Sequence, residues 1–260
     1  MIGVACTAAI ALSSCSTTTD GTGTPGSGTA AKGGPAATPT DSASLGAALR
    51  SGAASMSSAH VTMDVTLAGQ SIHGAGDETL AGGKATGIDL TESVPGLGTI
   101  RLILAGGKLY VRLPASLNHT GKPWVLVRAD SSDALVRTLA SSLSSLESSA
   151  SLDSLKAFTA SAKSVKLDGA ETIGGVPAAH YSIVVDVAKL PDTIAGKQAL
   201  EASGITTLPV ELWIDRKNRP VKMSEHLNVQ GQQADTEVSL SRFDAPVHIS
   251  APAPDQVSSS

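Results

Sequence analysis

Val61-Thr62-Met63-Asp64-Val65-Thr66-Leu67 alternates apolar and polar side chains without a break, and this stretch decides the fold. A period of two is that of a strand with one buried and one solvated face. Just before it, between residues 43 and 59, Leu45, Leu49, Ala53 and Met56 recur at spacings of 4, 4 and 3, which is one face of a helix. Just after it, strands are expected at 71–79, 84–91, 99–105, 108–113 and 124–128. Gly82-Gly83 and Gly106-Gly107 sit between pairs of these, where two-residue hairpin turns need positive φ.

Residues 133–162 break the rhythm. Leu135, Leu139, Leu143 and Leu146, then Leu152, Leu155 and Phe158, recur at helical spacing behind Asp133 as N-cap, with Ser and Ala opposite. Strands resume at 163–168, 179–187, 210–215, 221–229 and 235–243, with turns at Gly169, Gly174-Gly175 and Pro177. Between them, 191–203 reads as a short helix or loop and Asn218 as a turn residue. Strands, a helix, then strands, with no β-α-β alternation, imply an α+β fold. About ten antiparallel strands in one sheet must curl strongly or close, and the helices would then lie on the concave face. Ala, Val and Leu fill such a hollow poorly, so an open apolar cavity is expected. A hollow lined by charge would remove that expectation.

Of 260 residues, 16% are charged, 41% hydrophobic and 2% aromatic, with net charge −4. That balance offers neither the basic surface nor the stacking platforms of nucleic-acid binding. The two cysteines, Cys6 and Cys15, both lie at the N-terminus, so no disulfide or thiolate metal site is available to the rest. Residues 1–15, MIGVACTAAIALSSC, form a short apolar run ending in small residues, as in a signal peptide, although no Lys or Arg opens it. Leu12-Ser13-Ser14-Cys15 resembles the bacterial lipobox, which implies cleavage before Cys15 and acylation of its thiol. Residues 16–42 are Gly, Ser, Thr, Pro and Ala with hardly a bulky side chain, a tether whose reach is roughly 30 Å. The folded domain is expected at 43–250 and a disordered tail at 251–260. Gly21, Gly23 and Gly26 spell a dinucleotide fingerprint, but no strand precedes them and no helix follows.

Chemistry is sparse. His60, His73, His119, His180, His226 and His248 are scattered singly and read as strand-edge or turn residues, so no metal or cofactor is expected. There is no G-x-S-x-G elbow and no S-x-x-K, and no enzymatic activity is expected. Asp215 reads as a turn-opening residue that accepts backbone amides. Trp124 and Trp213 occupy apolar strand slots and read as core.

Several stretches resemble the actinobacterial LppX, LprA, LprF and LprG lipoprotein family, related in fold to the carrier LolA. They are Gly107-Lys108-Leu109-Tyr110-Val111, Gly121-Lys122-Pro123-Trp124-Val125, Asp168 to Tyr181, Leu208-Pro209-Val210-Glu211-Leu212-Trp213-Ile214-Asp215, and Phe243 to Ile249. The resemblance implies a half-barrel of about eleven strands that binds or shuttles acylated lipids or glycolipids in the cell envelope, lipid-anchored on the extracytoplasmic side, with an envelope transport partner. Acyl chains are expected against Met63, Val65, Leu102, Leu104, Val111, Val185 and Leu212 from the sheet, with Leu135, Leu139, Leu143 and Leu146 from the helix. The alternative is an envelope sensor or interaction module of the same fold with a solid interior.

Overall fold

The computed structural model describes residues 38–67, 69–128, 159–192, 197–229 and 231–258. Its frame is one sheet, built in chain order from β1 (Ser58–Leu67), β2 (Gln70–Ala81), β3 (Lys84–Val94), β4 (Gly98–Ala105), β5 (Lys108–Arg112) and β6 (Trp124–Leu126). The second half adds β7 (Ala162–Ile173), β8 (Val176–Asp186), β9 (Thr207–Asp215), β10 (Pro220–Val229), β11 (Gln232–Ser241) and β12 (Val257–Ser258). The described helices are α1 (Ser42–Ala54) and the short α2 (Lys197–Ala202), with residues 159–160 also helical.

The spatial order is β12-β6-β5-β4-β3-β2-β1-β11-β10-β9-β8-β7. The two halves of the chain are hairpin meanders that grow outward from a shared seam, where β1 pairs with β11 from His60↔Ser241 to Leu67↔Ala234. The pairings are antiparallel except β12 on β6. The result is a large curved sheet that does not close, with β12 and β7 at its edges. The glycine-pair turns form as expected: Gly106 and Gly107 have φ of 58° and 70°, values an L side chain reaches only with strain.

Helix α1 starts at a capping box, in which the Asp41 carboxylate accepts from Ser44 N at 2.8 Å while Asp41 N donates to Ser44 Oγ at 3.2 Å. It buries Leu45, Leu49 and Ala53. Leu45 and Leu49 join Tyr181, Ile183, Val185, Val210, Leu212, Ile214 and Met223 in the largest buried cluster, so α1 covers one face of the sheet at β8–β10. Gly52 lets the helix lie on the β9–β10 turn, for a Cβ there would meet Asn218 O at 2.0 Å.

Four expectations need correction. Helix α1 ends at Ala54 rather than near 59, because residues from Ser58 onward are claimed by pairing with β2. Strand β7 does not stop at Asp168: a bulge between Leu167 and Gly169 absorbs the glycine, and pairing runs on to Ile173. Strands number twelve in the described residues, not ten or eleven. The additional one lies in the supposedly disordered tail: Val257 and Ser258 pair with Trp124 and Val125, and Lys122 Nζ donates to Val257 O at 3.1 Å. Strand β6 offers an open edge, and unpaired edge amides and carbonyls hold even a short segment. The residues leading there are pinned near β1, where Ser58 Oγ donates to Ala245 O at 2.6 Å, and beside β3, where Ile249 lies against Gly87. The helix expected at 133–162 lies outside the described residues apart from its last few, as do the segments 1–15 and 16–37. None of the described helices is long and apolar enough to cross a membrane.

Candidate functional site

Register assigns the strand residues to two faces, because directly opposed residues in an antiparallel pair point the same way. Met63 opposes Val238, Val238 opposes Met223, Met223 opposes Leu212, and Leu212 opposes Tyr181. In the other direction Val61, in phase with Met63, opposes Gly76, which leads through Leu90 and Leu102 to Val111 and Val125. Met63, Val65, Leu102, Leu104, Val111, Val185 and Leu212, the seven strand positions singled out in the sequence, therefore share one face. Leu135, Leu139, Leu143 and Leu146, like Cys15, lie outside the described residues.

That face is not uniformly filled. At the β8–β10 end, Val185 and Leu212 are packed in the cluster that holds the leucines of α1. Val111 belongs to a second cluster with Leu109 and Leu113, bordered by Leu102. Between them Val65, Leu102 and Leu104 are only half-buried. Two clefts formed by described residues lie away from this middle stretch, one of about 150 Å³ beside Val187 and Gly204, another of about 440 Å³ beside Arg101, Arg112 and Leu113.

Three carboxylates stand in this apolar face, and sequence reasoning missed them. Glu78 opposes Ala59 and Ile88, Glu92 opposes Gly74 and Ile100, and Glu225 opposes Val210 and Thr236. The available signal was phase: each is an even number of residues from apolar neighbours in its own strand, such as Met223 and Leu227 around Glu225. Glu78 is only 6% exposed, and burial pushes its carboxyl up to about 7. Burial pushes Glu225 up to about 7 as well, and it raises Glu92. Among the described residues none of the three has a hydrogen-bond or ion-pair partner. In the same cluster as the α1 leucines, the fully buried Tyr181 hydroxyl also has none among the described residues.

The opposite face is polar. Arg101 reaches Asp89 through two bonds, Nε to Oδ1 at 2.8 Å and Nη2 to Oδ2 at 2.6 Å. His60 and His226 lie 2.7 and 2.9 Å from Asp77 and Asp235, and His73 contacts Asp64. The histidines at 60, 73, 180 and 226 are thus mid-strand partners of carboxylates rather than edge or turn residues, because pairing sets each beside an acid from a neighbouring strand. His180 is the most constrained. Its Nδ1 lies 2.9 Å from Glu171 and its Nε2 2.6 Å from Glu211, while its ring stacks on Trp213 at 4.3 Å. Trp213 Nε1 donates to Glu171 at 3.0 Å. Asp168, His180 and Glu211 bring ligand-type atoms within 4.8 Å of one another, a grouping no local spacing reveals. Each already has protein partners: Lys166 and Ser182 both donate to Asp168, and the Lys166 contact holds its carboxyl below the usual range.

Asp215 behaves as its turn position implies. Its carboxylate accepts from Lys217 N and Arg219 N, each at 2.8 Å, and from Arg219 Nε at 2.8 Å. Trp124 and Trp213 are buried.

No protein-family model matches the chain. An uncharacterized 31.2 kDa protein from the rplA-rplJ intergenic region of Streptomyces griseus is 33% identical over 108 residues, which is 38% of this chain and only 35% of that one. Among solved structures, the lipoprotein LppX of Mycobacterium tuberculosis superposes with a TM-score of 0.50 at 14% identity, over 80% of this chain and 99% of that one. LprF of Mycobacterium bovis superposes with a TM-score of 0.50 at 18% identity, over 83% of this chain and 100% of that one. At such identities the likeness is one of fold, and it is the fold that the sequence resemblance implied.

Proposed function

We propose that the chain is an extracytoplasmic lipoprotein, anchored through an acylated Cys15, that holds the acyl chains of a lipid against the apolar face of its curved sheet. The observation that carries this reading is the single face shared by Met63, Val65, Leu102, Leu104, Val111, Val185 and Leu212, filled by α1 at one end and half-exposed in the middle. Removing acyl methylenes from water onto such a surface contributes about 0.8 kcal/mol each. Leu135, Leu139, Leu143 and Leu146 supply the facing wall from the helix expected at 133–162. The fold shared with the lipoprotein LppX supports the reading. Residues 16–42 would let the domain move near the membrane while it loads and unloads. No catalytic step is involved.

The test is to purify the full chain from a bacterial host and to extract it with organic solvent for mass spectrometry. A stoichiometric acyl lipid is expected, and it should transfer to acceptor vesicles. Detergent partitioning of the chain and of Cys15→Ser examines the anchor separately, with only the parent chain entering the detergent phase. An interior that yields no lipid under either assay refutes the binding role.

A further inference from the structure

Three acids and no base occupy the apolar face wherever register ties its positions together. Glu78, Glu92 and Glu225 belong to it. Arg101, Lys108, Arg112, Lys166 and Lys222 all fall on the opposite face, opposed to Thr91, Ala105, Arg101, Ser182 and Trp213. Among the described strand residues that register places on the apolar face, a ligand therefore meets isolated carboxyls amid aliphatic side chains and no cation.

Resting on the lipid-binding reading above, we infer that this face accepts lipids whose polar part is uncharged and carries hydroxyl groups, and that it rejects lipids bearing phosphate or carboxylate. A phosphate drawn onto this surface would lose its hydration and face carboxyls instead of a guanidinium or ammonium. Anions in a low-dielectric site need a paired cation or a set of donors. A hydroxyl is matched to what is present. It donates to a carboxylate, and it accepts from a carboxylic acid, which is the form burial favours at Glu78 and Glu225 near neutrality. Each carboxyl lacks a partner among the described residues, so its hydrogen-bonding capacity is left for a guest. Glu92 is half-buried and set beside Met63 and Gly74.

The experiment is a competition. The full chain, stripped of bound lipid, is incubated at pH 7 with an equimolar mixture of dioleoylglycerol, dioleoylphosphatidylglycerol and a cationic dioleoyl trimethylammonium lipid. It is then re-isolated and the retained species are counted by mass spectrometry. Dioleoylglycerol is expected at tenfold or greater excess over the phosphatidylglycerol. Equal or greater retention of the phosphatidylglycerol overturns the inference while leaving lipid binding intact, and so does preference for the cationic lipid. Retention of none of the three removes the lipid-binding reading and the inference with it. Glu92→Lys supplies the missing cation at a half-exposed position, and phosphatidylglycerol retention is expected to rise at least tenfold. Unchanged discrimination in folded Glu92→Lys counts against the role of the carboxyls. If the variant does not fold, the competition with the unaltered chain decides alone.

Discussion

Replacing Glu78 with Gln should make the protein more stable, and by an amount that depends on pH. Glu78 is buried between Ala59 and Ile88 with no described partner, and its carboxyl titrates near 7 against an ordinary 4.5. Moving a titration midpoint by one pH unit corresponds to about 1.4 kcal/mol, so the difference amounts to about 3 kcal/mol. The sign follows from which state holds the proton. Below pH 4.5 both folded and unfolded chains carry it and nothing is lost. Between 4.5 and 7 the unfolded chain releases its proton while the folded chain retains it, so unfolding becomes easier as pH rises. Above 7 the penalty is complete and constant. Glu78→Gln keeps the shape and hydrogen-bonding capacity without the titration. It should match the parent at pH 4 and exceed it by about 3 kcal/mol at pH 8, with the residual slope in both chains coming from Glu225 and Glu92. Urea unfolding followed by the fluorescence of Trp124 and Trp213 at pH 4, 6 and 8 reads this directly. A variant less stable than the parent at pH 8, or a gap that does not change with pH, would mean that Glu78 is ionised and satisfied in the folded state.

Three further substitutions probe the frame. Leu45→Ala empties a fully buried position under α1 and should cost roughly 2–5 kcal/mol in the same denaturation assay. Gly52→Ala, which in an ordinary helix contributes about 1 kcal/mol of stability, should instead destabilise, because the added Cβ would meet Asn218 O at 2.0 Å; a gain in melting temperature would show that α1 does not lie on that turn. Asp215→Ala strips two backbone amides and the largely buried Arg219 of their acceptor, with an expected loss of about 3–5 kcal/mol that Asp215→Glu should not restore in full.

Legibility followed the range of the interactions involved. The alternation in 61–67 and the glycine pairs at 82–83 and 106–107 announced hairpins because both effects act within a few residues. The capping box was hidden in plain view, for Asp41 sits in what composition marks as the end of a tether while its partner Ser44 lies just beyond it. Gly169 misled because a glycine reads equally as a turn or as a bulge, and only the opposing strand distinguishes them.

Sequence alone determined that strands such as 61–67 carry one apolar face, that small residues follow Cys15, and that Met63, Val65, Leu102, Leu104, Val111, Val185 and Leu212 each lie at apolar positions of their own strands. Phase along a strand is local, and it does not depend on what lies beside it. Tertiary structure decided which strands are neighbours: that β1 closes on β11, that the tail reaches β6, that His180 meets Glu171 and Glu211, and that Glu78, Glu92 and Glu225 share one apolar face. Those facts depend on pairing between segments up to about 180 residues apart, such as His60 with Ser241. Such partners are chosen by the burial of the whole sheet, which no short window of sequence contains.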